Sequence, residues 1–194
     1  MAKTGRLAIY DSADSMIANI GRDRDADARI GVDSVAKLGA GLDQLVASRQ
    51  QFKRVVFDTH GSEGKVWLGN EAVSSDTWRT QLKGKGYERL FPFFSKMYFS
   101  GCNVSDDDVG WSFLEAASET FFAGLGGVTM AYTSLGLTTR WGHFNPKHFW
   151  GELRLVISMP GKKPRRVSGG DILQLIVHRQ DKELLWVLKQ VDIL

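Results

Sequence analysis

Four short apolar runs, separated by helical or polar stretches, constrain the fold more than any other feature of this chain. They read RLAIYDS (6–12), RVVFDT (54–59), KMYFSG (96–101) and GVTMAYTS (127–134). Each has the length of a strand and a nearly continuous apolar core rather than strict alternation. That pattern suits strands of a parallel sheet covered on both faces. Between the first two runs, Val35, Leu38, Leu42, Leu45 and Val46 recur at helical spacing within 32–49, with Asp33 or Ser34 as the cap. SSDTWRTQLKG (74–84) opens on cap residues and then reads as helical. Ser105 leads into DDDVGWSFLEAASETFFAGLGG, whose acidic first turn complements a helix dipole and whose glycines close it. KVWLGNEAV (65–73) alternates around Gly-Asn and predicts a small hairpin. Strand alternating with helix predicts an α/β fold with a mainly parallel sheet. GRDRDADARIG (21–31) is charged and poor in apolar residues, and predicts an exposed loop. The tail carries a Pro-Gly turn and long apolar or alternating runs. It predicts hairpins, with a helical alternative over 171–190.

In such sheets ligands gather beyond the C-terminal ends of the strands. Two chemistry-bearing residues fall there. His60 follows the second run in FDTHGSEG, and Cys102, the single cysteine, follows the third in MYFSGCN. Each stands beside a glycine. A thiol becomes a good nucleophile only as a thiolate, and an adjacent imidazole can take its proton and return it to a leaving amine. Gly61 and Gly101 allow backbone to approach a substrate. The amides of Gly61 and Cys102 are candidate oxyanion-hole donors. The helix N-terminus that follows Cys102 favours an anion, whereas Asp106, Asp107 and Asp108 oppose one. The plainer readings are a small buried cysteine and an unrelated strand-end histidine. Their joint placement after two consecutive buried strands favours one site.

Composition fits one domain: 194 residues, 43% hydrophobic and 24% charged. A net charge of +3 does not by itself point to nucleic acid, and none is expected as a partner. One cysteine forms no internal disulfide, and no apolar stretch approaches the roughly 20 residues of a membrane span. The N-terminus lacks the apolar region of a secretory signal. The expectation is a cytoplasmic protein in a reducing compartment, with no membrane association. Export without a cleaved signal would look the same.

With these motifs in view, the chain resembles the caspase-like (clan CD) cysteine peptidases, a superfamily that includes caspases, gingipains, separases and legumains. There, His-Gly follows one core strand and the nucleophilic Cys follows the next. The segments THGSEGKVWLGNEAV and SGCNVSDDDVGWSFLEAAS are most similar to bacterial caspase-like domains with SHG…G…LG and GCN motifs. The likeness covers about residues 6–138 and implies a three-layer sandwich with His60 as base and Cys102 as nucleophile. It also implies Gly61 and the Cys102 amide as the oxyanion hole, a polypeptide substrate and no cofactor. Specificity would come from loops after the first and fourth sheet strands, near Asp11 and Ser134. Asp11 or Asp14 would bind a basic substrate side chain; Arg140 would instead bind an acidic one. The plainer reading has Asp11 and Ser134 capping loops. The caspase pentapeptide QAC-R/Q/G-G is absent, since NVS follows the cysteine here. The expected division is a caspase-like core over 1–140 and a β-rich extension over 141–194 packed on the same domain.

Other candidates carry less. His143 and His148 in WGHFNPKHFW lack further metal ligands at useful spacing, so no metal is expected. Trp141 and Trp150 there suit a packed or partner-binding loop. His178 reads as structural or turn-exposed. GKKPRR (161–166) is either a solvated turn or a basic contact run. No phosphate loop or dinucleotide fingerprint is present. A catalytically inactive binding or scaffolding module, and acyl transfer on a small molecule, are the rival functions.

Overall fold

A computed structural model of the chain describes residues 5–134, 136–137, 147–148, 151–178 and 181–193. The buried runs form strands β1 (Gly5–Asp11), β3 (Phe52–Asp58), β7 (Ser95–Phe99) and β8 (Gly127–Tyr132). With β2 (Ala28–Val32), β11 (Leu153–Ser158) and β12 (Arg165–Ser168) they build a seven-stranded sheet in the order β12-β11-β8-β7-β3-β1-β2. The five strands β2, β1, β3, β7 and β8 run parallel, and β11 lies antiparallel between β8 and β12. β4 (His60–Ser62), β5 (Lys65–Leu68) and β6 (Glu71–Ser74) form a separate antiparallel sheet, and β9 (Gly136–Leu137) pairs with β10 (Lys147–His148). The helices are α1 (Ser15–Asp23), α2 (Val35–Ala47), the short α3 (Ser75–Thr77) continued by a π turn at Trp78–Leu82, α4 (Asp107–Phe121), α5 (Gly169–His178) and α6 (Lys182–Gln190).

Side-chain alternation along the strands sorts the core into two faces. Leu7, Ile9, Val55, Phe57, Met97 and Phe99 point to one side, where α2, the Trp78 turn and α4 cover them. Trp78 lies at the centre of that layer, edge-on to Phe57, Phe113 and Phe121 at centroid distances of 5.9, 6.0 and 5.4 Å. The other face carries Ala8, Val56 and Tyr98 in its middle, and the second core of Val128, Leu155, Ile157, Leu184, Val187 and Leu188 under α5 and α6. Helices on both faces of a mainly parallel sheet are compatible with a three-layer sandwich.

Two expectations need correction. The charged 21–31 stretch is not a loop: it ends α1 and then forms the edge strand β2. Only one side of each element meets the core there. α1 buries Ile17, Ala18, Ile20 and Gly21, and β2 alternates between covered and exposed residues, so few apolar residues suffice. The tail is not β-rich throughout. Among the described residues of 141–194, β11 and β12 extend the main sheet, and 169–190 is largely helical. Asp181 caps α6 through a hydrogen bond from the Leu184 amide (2.9 Å). The basic run is tied into the fold: Lys162 pairs with Glu183 (2.5 Å), Arg165 with Asp181 (2.6 Å) and Arg166 with Glu115 (2.8 Å). His178 is exposed at the end of α5. Among the described residues no helix is long and apolar enough to cross a membrane.

Candidate functional site

β3 and β7 are neighbours in register, Phe57 opposite Phe99, so the segments leaving them start side by side. The Ser100 amide donates to the Phe57 carbonyl at 2.9 Å, carrying the pairing one residue past β7. Past the two strand ends, Gly61 and Gly101 meet backbone to backbone. A Cβ built on Gly101 would lie 2.9 Å from both Cα and N of Gly61. One built on Gly61 would lie 2.7 Å from the Cys102 carbonyl and 2.5 Å from a Val104 methyl. Real Cβ atoms essentially never approach so closely, so both glycines are required by the contact itself. His60 and Cys102 therefore project from two segments that touch. Cys102 is partly exposed, and the His60 side chain is 51% exposed.

The cysteine segment is pinned on several sides. Asn103 adopts a left-handed φ of 53°, which asparagine tolerates better than most residues. Its amide donates to the Ser134 carbonyl (3.0 Å), tying the segment to the end of β8. The Gly64 amide donates to the Val104 carbonyl (3.1 Å), so the β4–β5 turn clasps it from the histidine side. The Ser105 hydroxyl donates to the Ala131 carbonyl (3.0 Å), and Arg154 donates to the Ser105 and Asp107 carbonyls (2.8 and 2.9 Å).

Beneath the two segments lies a buried ionic network. Arg24, at the C-cap of α1, grips Asp58 in a bidentate pair, Nε to Oδ2 at 2.8 Å and Nη2 to Oδ1 at 2.6 Å. Asp58 is fully buried and also accepts from the Ser100 hydroxyl at 3.0 Å. Burial works against the Arg24 charge, but the hydrogen bonds and charge of Asp58 more than offset it and hold the guanidinium above its ordinary pKa. Asp58 precedes Thr59 and His60, and Ser100 precedes Gly101 and Cys102. One network thus fixes the roots of both segments. The sequence carried a signal for it: a carboxylate ending a buried strand demands a partner. Arg24 was hidden as that partner within the stretch read as a loop.

Asp11 is buried, and its Oδ1 accepts from the Ala13 and Gly69 amides (2.9 and 3.0 Å), which ties the loop after β1 to the β5–β6 turn. Ser134 offers its carbonyl to Asn103, while its buried hydroxyl finds no partner among the described residues. Arg140, Trp141, His143 and Trp150 lie outside the described residues, as does the side chain of His148. Asp14 caps α1 through Oδ1, accepting from the Ile17 amide at 2.9 Å, and its Oδ2 lies 3.2 Å from Nε2 of His60. Sequence reasoning had considered Asp14 only as a substrate contact. No family model matches this chain, and no curated protein matches it.

Proposed function

We propose that the chain is a cysteine peptidase of caspase-like fold, in which Cys102 attacks a peptide carbonyl and His60 moves the protons. The observation that carries this reading is the backbone contact between Gly61 and Gly101, which roots the imidazole and the thiol on touching segments at the C-terminal rim of the sheet. His60 takes the Cys102 proton as sulfur bonds to the carbonyl carbon, and the negative charge moves to the carbonyl oxygen. The amides of Gly61 and Cys102 are the donors that would receive that charge. The intermediate collapses as the C–N bond breaks and His60 gives its proton to the leaving amine. Water, losing a proton to His60, then attacks the thioester; the C–S bond breaks and the thiolate recovers the proton. Incubating a library of proteome-derived peptides with the protein should yield new peptide termini. The reading fails if the same termini appear with Cys102→Ala, or if none appear at all.

A scaffolding role is the second reading, favoured by the exposed apolar face of α5. Leu173, Ile176 and Val177 are 61, 45 and 65% exposed, which is unusual for three neighbouring residues of one helix. Concentration-dependent association that Leu173→Glu abolishes would support that role. A monomer at all concentrations, with peptide cleavage intact, would remove it.

A further inference from the structure

We propose that Asp14 is the positioning partner of His60, so that the pair operates as a triad in which a carboxylate on the loop after β1 fixes the imidazole. The catalytic consequence rests on the peptidase reading; the positioning itself does not. The two oxygens of Asp14 divide their work, Oδ1 on the Ile17 amide at 2.9 Å and Oδ2 on Nε2 of His60 at 3.2 Å. A carboxylate only accepts hydrogen bonds, so in the neutral imidazole the nitrogen facing it carries the hydrogen. That leaves Nδ1 as the unprotonated nitrogen, the one able to receive a thiol proton. Without such an anchor the two tautomers interconvert freely, and only one is competent.

Helix α1 is held to the histidine segment at both ends. Its N-cap residue reaches His60, and its C-cap residue Arg24 grips Asp58, two positions before His60. Between those ends Gly21 packs against Tyr10, where any added Cβ would lie within 2.5 Å of the ring or its Cβ, so the helix sits directly on β1. Asp14 stays ionised in the neutral range, because the Ile17 amide first, and His60 second, hold its carboxyl below the ordinary value.

Two variants separate positioning from folding. Asn and Ser are both good N-cap residues, so Asp14→Asn and Asp14→Ser keep α1 capped. Asn, with its oxygen kept on the Ile17 amide, turns an NH2 donor toward Nε2 and so favours the opposite tautomer, and Ser is too short to reach His60. Ring nitrogen NMR of protein carrying 15N-histidine reads the tautomer, and a peptidyl acyloxymethyl ketone, whose carboxylate is displaced by the Cys102 sulfur to leave a thioether, reads alkylation of Cys102. We expect the Nε2–H tautomer at His60 in the parent, a mixture in Asp14→Ser and a shift toward Nδ1–H in Asp14→Asn. The maximal alkylation rate should fall about 10- to 100-fold, with half-saturation changed less than about 2-fold and the melting temperature held. An Nδ1–H tautomer in the parent, or a tautomer unmoved by both substitutions, overturns the proposal. So does a parental alkylation rate in both variants. If Cys102 is inert in the parent but the tautomer shifts on substitution, the peptidase reading falls and Asp14 keeps its role.

Discussion

Replacing Gly61 by alanine probes the contact from which the rest of the site follows. The new methyl would lie 2.7 Å from the Cys102 carbonyl oxygen, 2.9 Å from the Gly101 carbonyl carbon and 2.5 Å from a Val104 methyl. Comfortable separations between such atoms are about 3.5–4.0 Å. Two of the three obstacles are backbone, so rotamer changes cannot clear them. The histidine and cysteine segments must part by roughly 0.8 Å to bring the carbonyl contact alone into that range. Overpacking of this kind costs about 1–3 kcal/mol. A displacement near 1 Å between reacting groups costs up to about 100-fold in rate. Gly61→Ala should therefore lower the urea midpoint, followed by tryptophan fluorescence from the buried Trp78, and slow acylation of Cys102 about 10- to 100-fold. Adding Val104→Ala removes the side-chain obstacle and leaves the carbonyl, so the rate should not recover. Parental stability together with parental acylation in Gly61→Ala would show that the segments do not touch as described. Full recovery of the rate in the double variant would refute the claim that backbone, rather than a movable methyl, sets the spacing.

Three further outcomes follow from the buried charges and the core. Asp58→Ala strands the Arg24 guanidinium and should cost about 3–5 kcal/mol in urea unfolding, whereas Asp58→Ala with Arg24→Met should recover part of that loss; a double variant no better than the single would contradict it. Lys96, at 8% exposure, is pushed down to about 8 by burial first and by Arg54 second. The unfolded chain keeps that proton until about pH 10.4, so between pH 8 and 10 the folded state binds fewer protons and gains stability as pH rises. Lys96→Met should accordingly be more stable than the parent by about 1–3 kcal/mol at pH 7, with the advantage shrinking toward pH 10; an advantage independent of pH would contradict the assignment. Phe99→Ala, which empties the space between Phe57 and Phe113, should cost about 3–5 kcal/mol by the same assay, and a loss below about 1 kcal/mol would show that this layer is not packed as described.

The parts of this fold legible in the sequence are those where burial is two-sided. β1, β3, β7 and β8 need apolar residues facing both ways, and such runs stand out without alignment or context. Elements at the margin were hidden for the converse reason. β2 is an edge strand that buries little of Ala28–Val32, and α1 is a nine-residue helix whose polar side faces water. In α5, Leu173, Ile176 and Val177 blurred the helical period, because those apolar residues do not face the core. The meeting of the His60 and Cys102 segments was legible because strand ends of a parallel sheet converge on one rim. Asp14 and Arg24 were not, since their partners are 46 and 34 residues away and only tertiary contact reveals them. Gly61 and Gly101 were noticed for approach to a substrate. What the structure adds is that each is needed for approach to the other.

The most direct test is mass spectrometry of the intact protein after brief exposure to a peptidyl electrophile, with the parent compared to His60→Ala. A single adduct on Cys102 is expected in the parent, formed at least about 100-fold more slowly without the imidazole. Equal adduct formation in both proteins, or a thiol that no peptidyl electrophile reaches, would contradict it.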